Sequence, residues 1–186
     1  MEEQVKIIKK PLVYLASPLG FSDTAKRYVL PQIIQQLEKC NVEVYEPFSR
    51  NEQNGLGPSS GKDLWALDIA YADVNGVKNA DAIFAVINGT PPDEGVAVEL
   101  GVAIALNKPT FLFRDDFRKC ADSNTFPCNL MLYAGLPREG FEKYIYNSID
   151  EIIDSEKALC IWAAAQKLKG NNSQQRNNNI NGKTNL

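Results

Sequence analysis

The 186-residue chain contains no histidine. This absence excludes Ser-His and Cys-His nucleophilic chemistry and most zinc sites, because imidazole is the base or the ligand in them. Any catalysis must then use carboxylates, tyrosines, lysines or cysteines. The four cysteines, Cys40, Cys120, Cys128 and Cys160, include no C-x-x-C pair. We interpret them as reduced structural thiols, and we predict neither a metal site nor a cofactor.

Long runs of one character are also missing. The net charge is -3 and the longest basic cluster is "KIIKK" near the start, which argues against a nucleic-acid partner. No apolar stretch approaches membrane-spanning length. The first apolar run, "PLVYLASPLGF", is broken by proline and glycine, unlike a signal peptide. With 44% hydrophobic residues, we predict a cytoplasmic protein with one globular domain, residues 1–167, and a disordered Asn-rich tail, residues 168–186.

Short apolar segments alternate with helical patterns along the chain. We predict strands at 11–17, 42–47, 81–89 and 109–114, helices at 22–41, 62–80, 93–107 and 148–168, and loops at 48–61 and 115–128. Pro31 indicates either a kink in its helix or a second helix that begins there.

Non-alternating apolar strands between helices indicate a parallel sheet that is covered on both faces. The predicted fold class is therefore α/β, a doubly wound, flavodoxin/Rossmann-like three-layer sandwich with a mainly parallel sheet of about five strands. Ligands in such folds bind beyond the carboxyl ends of the strands. Neither a G-x-G-x-x-G fingerprint nor a P-loop is present, so glycine loops that cradle phosphates are not expected.

Glu99 is unusual because apolar residues surround it in "PPDEGVAVELGVAIALNKP", residues 91–109. An ionised carboxylate in such surroundings is costly unless something pairs with it. Two interpretations are open: a solvent-facing helix residue, or a reactive carboxylate kept ionised near a helix N-terminus. Asp93 follows a turn, where it can cap the helix, bind a ligand, or do both.

Asp68 and Asp73 lie on the preceding helix, five residues and so about 140° apart. They cannot both face the ligand crevice, and a solvated helix face explains either one. Tyr14 lies in a buried strand, where its hydroxyl needs a partner, and Trp65 is interpreted as packing. One carboxylate that attacks and another that moves protons would suit glycosyl transfer without histidine or metal.

Four segments cover most of residues 11–135 and carry a stronger signal: "VYLASP" (13–18), "DLWALDIAYADVNGVKNADAIFAVING" (63–89), "DEGVAVELGVAIALNKP" (93–109) and "CNLML" (128–132). The most specific element is D-x-G-x-x-x-E-L-G at 93–101, with D-x-N-G at 73–76 and N-L-M at 129–131. In these segments the chain resembles the nucleoside 2-deoxyribosyltransferase family.

This resemblance implies an enzyme of nucleoside salvage that transfers 2-deoxyribose between nucleobases. The implied route is a retaining double displacement through a covalent deoxyribosyl-glutamate intermediate. Glu99 would be the nucleophile and Tyr14 would orient it. Asp73 would transfer the proton of the base, and Asp93 would bind the sugar hydroxyls, mainly at the 5′ end.

The resemblance also implies a homo-oligomer, a dimer or hexamer, because Asn129 and Met131 would complete the site of a neighbouring subunit. Ala16 and Ser17 stand where many members have glycines, so the sugar pocket is expected to differ there. Its substrates would be 2′-deoxynucleosides and free nucleobases.

Base recognition is implied for Arg50 or Asn51, and the preference for purines alone or for purines and pyrimidines stays open. One alternative is a deoxynucleoside or deoxynucleotide N-glycosidase, a hydrolase. A nucleotide hydrolase would need serine and arginine in a phosphate loop, and "LASPLGFS" offers Ser17 and Ser22 without arginine. The other alternative, a non-catalytic nucleotide-binding module, gives no reason for acids at both 93 and 99.

Overall fold

The computed structural model describes residues 9–181, with side chains described as far as Lys169. Its five strands are β1 (Leu12–Ala16), β2 (Glu43–Tyr45), β3 (Ala82–Val86), β4 (Thr110–Phe113) and β5 (Ile145–Tyr146). Its five α-helices are α1 (Leu30–Lys39), α2 (Pro47–Gln53), α3 (Trp65–Asn79), α4 (Glu94–Ala105) and α5 (Ala158–Asn181).

The strands form one fully parallel sheet in the order β2-β1-β3-β4-β5. This is the order of flavodoxin-like doubly wound folds, and it confirms the predicted fold class. Short 3-10 helices at Pro18–Phe21, Pro58–Ser60, Leu130–Tyr133, Phe141–Tyr144 and Asp150–Ile153 connect the larger elements.

Each strand sends alternate side chains to two separate apolar layers. Val13 and Leu15 of β1 pack in the layer that contains residues of α1 and α5. Tyr14 and Ala16 pack in the opposite layer, with residues of α3 and α4. Both faces of the sheet are therefore covered, as the non-alternating apolar strands predict.

Helix 22–41 is divided in the structure. A π-helical turn, Ala25–Val29, precedes α1, which begins at Leu30 with Pro31 in its first turn. Proline is favoured there because its amide nitrogen would have no helical partner. Of the two alternatives at Pro31, a second helix that begins there is confirmed.

The loop predicted for 48–61 is wrong in its first part, which belongs to α2. The Glu46 carboxylate accepts hydrogen bonds from the amides of Phe48 at 3.1 Å and Ser49 at 2.7 Å. Pro47 occupies the first turn, so cap and proline together begin a helix in a segment of loop-like composition.

The helix predicted for 148–168 is wrong in its first part. Ser148 and Glu151 do pair as a capping box: the Ser148 hydroxyl accepts from the Glu151 amide at 3.4 Å, and the Glu151 carboxylate accepts from the Asn147 amide at 3.0 Å. They cap only the 3-10 turn Asp150–Ile153. The α-helix α5 begins at Ala158.

The predicted tail overlaps α5, whose backbone is helical as far as Asn181. No proline interrupts this polar stretch, so helical hydrogen bonding continues past the last core residue. Residues 182–186 lie outside the described residues, and the predicted division at residue 167 stays a prediction. Over residues 9–181, none of the helices has both the length and the apolar composition for crossing a bilayer.

Candidate active site

A cavity of about 580 Å³ lies at the carboxyl ends of β1, β2 and β3. Parallel strands place the residues that follow them at one edge of the sheet, which is where the fold class predicts a ligand. The cavity brings together five of the residues singled out in the sequence: Ser17, Asn51, Asp73, Asp93 and Glu99.

Glu99 is bound by Tyr14 from the centre of the sheet. The fully buried Tyr14 donates its hydroxyl to Glu99 Oε1 at 2.5 Å. Burial raises the pKa of Glu99 to about 7, the hydrogen bond from Tyr14 lowers it, and the charges of Asp73 and Asp93 raise it further. The solvent-facing interpretation of Glu99 is therefore wrong. At neutral pH this carboxyl is ionised in a large fraction of molecules and is more basic than an exposed glutamate.

Tyr14 remains a hydrogen-bond donor throughout the physiological pH range. Burial, followed by the negative charge of Glu99, raises the pKa of Tyr14 well above its usual range. Its hydroxyl occupies Oε1 and leaves Oε2 of Glu99 with no hydrogen bond from any described residue. One oxygen is fixed and the other is available for reaction.

Asp73 faces the cavity, whereas Asp68 does not. Asn51 donates its amide Nδ2 to Asp73 Oδ1 at 2.9 Å. Burial raises the pKa of Asp73, the hydrogen bond from Asn51 lowers it, and the charge of Glu46 raises it. Asp68 instead pairs with the surface residue Lys62 at 3.3 Å. The structure thus distinguishes two aspartates that sequence spacing leaves equivalent.

Asn51 can still accept a hydrogen bond. Its side chain is only 6% exposed, and its Oδ1 has no partner among the described residues. A buried amide oxygen without a partner is costly, so a bound ligand would gain by donating to it. Of the two residues expected to read the base, Arg50 lies elsewhere: it pairs with Glu43 at 2.9 Å and does not line the cavity.

Asp93 combines both of its predicted roles in geometry. It caps α4 by accepting a hydrogen bond from the Val96 amide at 3.0 Å, and it also lines the cavity. The preceding turn is held from β4, because the Arg114 guanidinium donates to the carbonyls of Ile87 at 2.5 Å and Gly89 at 3.1 Å. Sequence reasoning missed Arg114, which no motif marks.

Ser17 and Ala16 differ in their access to the cavity. Ser17 lines it, and its buried hydroxyl has no hydrogen-bond partner among the described residues. Ala16, the last residue of β1, is fully buried within the apolar layer and does not line the cavity. The difference follows from strand alternation, since neighbouring residues point to opposite faces.

Asn129 and Met131 do not reach this cavity within one chain. They line a separate apolar groove of about 450 Å³ between α4 and the 3-10 helix Leu130–Tyr133. Asn129 caps that helix by accepting a hydrogen bond from the Met131 amide at 2.9 Å. The Met131 side chain is 74% exposed, so it does not pack within its own chain.

Several cavity residues have no motif in the sequence. Phe21 and Phe48 form an edge-to-face pair with ring centroids 4.8 Å apart at one wall. Trp65, interpreted from sequence as packing, and Lys26 also line the cavity. The only advance signal was the glycine- and serine-rich composition of 48–61, which is typical of functional loops. In the described part of the chain, no three or more acidic or cysteine side chains cluster as metal ligands.

Comparisons with known proteins agree with this geometry. The family model of nucleoside 2-deoxyribosyltransferases matches residues 13–131. The nucleoside deoxyribosyltransferase of Limosilactobacillus fermentum is 30% identical over 131 residues, which span 67% of this chain and 75% of that protein.

Two solved structures share the fold. The 2-deoxyribosyltransferase from Leishmania mexicana aligns with a TM-score of 0.56 and 23% identity, covering 75% of this chain and 92% of that one. The 2-deoxyribosyltransferase from Bacillus psychrosaccharolyticus aligns with a TM-score of 0.55 and 24% identity, covering 77% and 90%.

Fold and cavity define an α/β enzyme of flavodoxin strand order with a carboxylate site at the carboxyl edge of its sheet. Within that class, the chain belongs to the nucleoside 2-deoxyribosyltransferase family. This family consists of transferases, so the resemblance identified in the sequence is confirmed. Membership supports nucleoside deoxyribosyl transfer as the activity.

Proposed function

We propose that this protein exchanges the base of 2′-deoxynucleosides by moving 2-deoxyribose from one nucleobase to another. The observation that carries the proposal is Glu99, a cavity carboxylate held by Tyr14 at one oxygen, with a pKa near neutrality. Such a group can be ionised and nucleophilic at pH 7 without histidine or metal.

The first displacement forms a glycosyl ester. Oε2 of Glu99 attacks the anomeric carbon, the bond from that carbon to the base nitrogen breaks, and its electron pair leaves with the base. Asp73 supplies the proton that the departing base takes, for which its raised pKa is suited. Tyr14 keeps Oε1 fixed during the attack.

The second displacement reverses these steps with a different base. The nitrogen of the incoming base attacks the anomeric carbon, its proton passes to Asp73, and the bond from that carbon to Glu99 breaks. Two inversions at one carbon give overall retention. The buried site keeps water away from the ester until a base arrives.

Recognition is divided between the two ends of the cavity. Asp93 and Ser17 bind the sugar hydroxyls, since both line the cavity and the Ser17 hydroxyl has no partner among the described residues. Asn51 reads the edge of the base through its unpartnered Oδ1, while its Nδ2 holds Asp73. A cavity of about 580 Å³ has the size of a small-molecule site.

The functional unit is a homo-oligomer, a dimer or hexamer, in which Asn129 and Met131 complete a neighbouring site. Helix α4 supports this, because it is apolar around most of its circumference and its Val98 is 62% exposed. A helix that is apolar on all sides is normally buried, and a second subunit would cover α4. The four free thiols suit the reducing cytoplasm, where the enzyme would serve nucleoside salvage.

A base-exchange assay tests the proposal. Purified protein is mixed with deoxyinosine and adenine, without phosphate, and deoxyadenosine is measured together with free hypoxanthine and deoxyribose. We expect deoxyadenosine from the wild type and none from Glu99→Ala. In Glu99→Asp, which keeps a shortened carboxylate, we expect a residual rate. Release of deoxyribose without exchange would instead establish the N-glycosidase alternative.

Asp73 has a matched control on its own helix. Asp73→Asn should lower the exchange rate by roughly 10²-fold or more, because proton transfer contributes about that much. Asp68→Asn removes a carboxylate from the same helix outside the cavity and should leave the rate unchanged. Equal loss in both variants would mean that helix α3 is damaged rather than that Asp73 transfers a proton.

A further inference from the structure

Tyr14, the residue that holds Glu99, is itself held by a second tyrosine. Tyr14 and Tyr45 are directly opposite each other in the parallel pair of β1 and β2. Their rings are stacked, with centroids 5.3 Å apart and planes 17° apart. Cross-strand aromatic pairs of this kind restrict the orientation of both rings.

Helix α3 leaves a space that these two rings fill. Gly76 lies one turn after Asp73 on that helix, and it is buried. A Cβ at Gly76 would lie 2.8 Å from Cε1 of Tyr45 and 2.9 Å from Cε2 of Tyr14. Both distances are too short for a real contact, so the absence of a side chain at 76 permits the stacked pair.

The outer face of Tyr45 is also covered. The Arg50 guanidinium carbon lies 5.5 Å from the centroid of the Tyr45 ring, and Arg50 is itself paired with Glu43 at 2.9 Å. The Tyr45 ring is therefore enclosed by Tyr14, Gly76 and Arg50.

Tyr45 does not itself meet the cavity. It is absent from the cavity lining, and its hydroxyl forms no hydrogen bond with any described residue. Any influence of Tyr45 on the site must therefore act through the contacts of its ring, chiefly through Tyr14.

We propose that Tyr45 is a positioning residue, whose ring, stacked on Tyr14 in the space left by Gly76, fixes the Tyr14 hydroxyl on Glu99. The catalytic consequence rests on the proposed function, whereas the positioning of Tyr14 does not. The hydroxyl of Tyr45 is dispensable in this arrangement, and its ring is not.

The effect of losing the stack has a definite sign. The groups that act on Glu99 are Tyr14 from β1, Asp73 from α3 and Asp93 at the head of α4. Only the hydrogen bond from Tyr14 favours the ionised form, since burial and both aspartates disfavour it. A loosened Tyr14 must therefore raise the pKa of Glu99 and reduce the fraction of nucleophile at neutral pH.

The experiment compares Tyr45→Leu with Tyr45→Phe, which keeps the ring. The titration of the Glu99 carboxyl is followed by NMR with ¹³C-labelled glutamate, and the signal is assigned by its loss in Glu99→Gln. Tyr45→Leu should shift the titration upward by about half a pH unit or more, as expected when a hydrogen bond to the charged form weakens. Tyr45→Phe should titrate like the wild type.

Base-exchange kinetics supply the second readout. In Tyr45→Leu, kcat at neutral pH should fall about tenfold, since small misplacements of catalytic groups have effects of this order or larger. KM should change little, and the acid limb of the pH profile should move upward with the titration. A purely structural role would lower kcat through loss of folded protein, without moving the acid limb.

A double-mutant cycle identifies the route of the effect. In a Tyr14→Phe background the hydrogen bond to Glu99 is already absent, so adding Tyr45→Leu should produce no further shift of the titration. An equal shift with and without Tyr14, or no shift in Tyr45→Leu at all, would overturn the proposal. Tyr45→Met, which preserves more volume, replaces Tyr45→Leu if that variant does not fold.

The two proposals fail separately. The NMR titration requires no turnover, so it tests the positioning of Tyr14 even if the wild type exchanges no base. Normal base exchange with an unmoved titration in Tyr45→Leu would instead reject the positioning role and leave the proposed function standing.

Discussion

At Glu99, burial and the hydroxyl of Tyr14 act on one carboxyl group in opposite directions, and burial prevails. The pKa of Glu99 rises from its ordinary value of 4.5 to about 7. Below pH 4.5 the group is protonated in the folded and unfolded states alike. As the pH rises from 4.5 to 7, only the unfolded state ionises freely, so the folded state loses stability.

Glu99→Gln should therefore stabilise the protein at high pH. The gain in the free energy of unfolding should be near zero at pH 4 and approach about 3 kcal/mol at pH 8, at about 1.4 kcal/mol per unit of pKa shift. Urea unfolding of both proteins across this range measures it. Glu94→Gln, at an exposed position of α4, controls for the chemical change itself. A pH-independent difference would show that Glu99 is not a destabilised carboxylate.

At the scale of the helix, the Gly76 position links α3 to the catalytic tyrosine. Gly76→Ala should lower the free energy of unfolding by about 1–3 kcal/mol, because it overpacks the space held by Tyr14 and Tyr45. It should also slow base exchange. Denaturant unfolding and the exchange assay measure the two effects.

Gly101 provides the matched substitution on α4, since a Cβ there meets no atom within 4 Å in the chain. Gly101→Ala should stabilise the subunit by about 0.5–1 kcal/mol through helix propensity alone. Equal destabilisation by both alanines would contradict a specific role for the space at Gly76.

Elements with a strong pattern could be predicted from the sequence, and elements defined by tertiary contacts could not. The strands that form the sheet centre are apolar runs, and α4 has both an N-cap at Asp93 and a continuous apolar pattern. In contrast, β5 is only two residues long, Ile145 and Tyr146, and pairing with β4 defines it rather than composition. Helix α2 depends on the cap by Glu46, which loop-like composition concealed.

The candidate site shows the same division. The spacing from Asp93 to Glu99 drew attention to both residues, because charged groups in an apolar helix need a reason. The choice of Asp73 over Asp68, and of Asn51 over Arg50, depends on how α2 and α3 face the cavity. Spacing along the chain does not contain that orientation, so only the packed structure distinguishes these pairs.

At the scale of the whole molecule, the cavity with Glu99 and the groove with Met131 lie apart on a single chain. If Asn129 and Met131 act in a neighbouring subunit, their function becomes separable from that of Glu99 by subunit mixing. In a mixed dimer of Glu99→Ala and Asn129→Ala/Met131→Ala, one site has an intact Glu99 together with an intact Asn129 and Met131 from its partner. The other site lacks both.

Mixing these two inactive proteins by joint refolding should therefore restore base exchange. Random dimers from an equal mixture would recover roughly a quarter of the wild-type activity, because half of the dimers contain one intact site of two. Glu99→Ala refolded with Asp73→Asn is the control, since both residues line the same cavity of one chain and no mixed site is intact. Recovery in neither mixture would place Asn129 and Met131 outside the neighbour's site, while recovery only in the first would require a site built from two subunits.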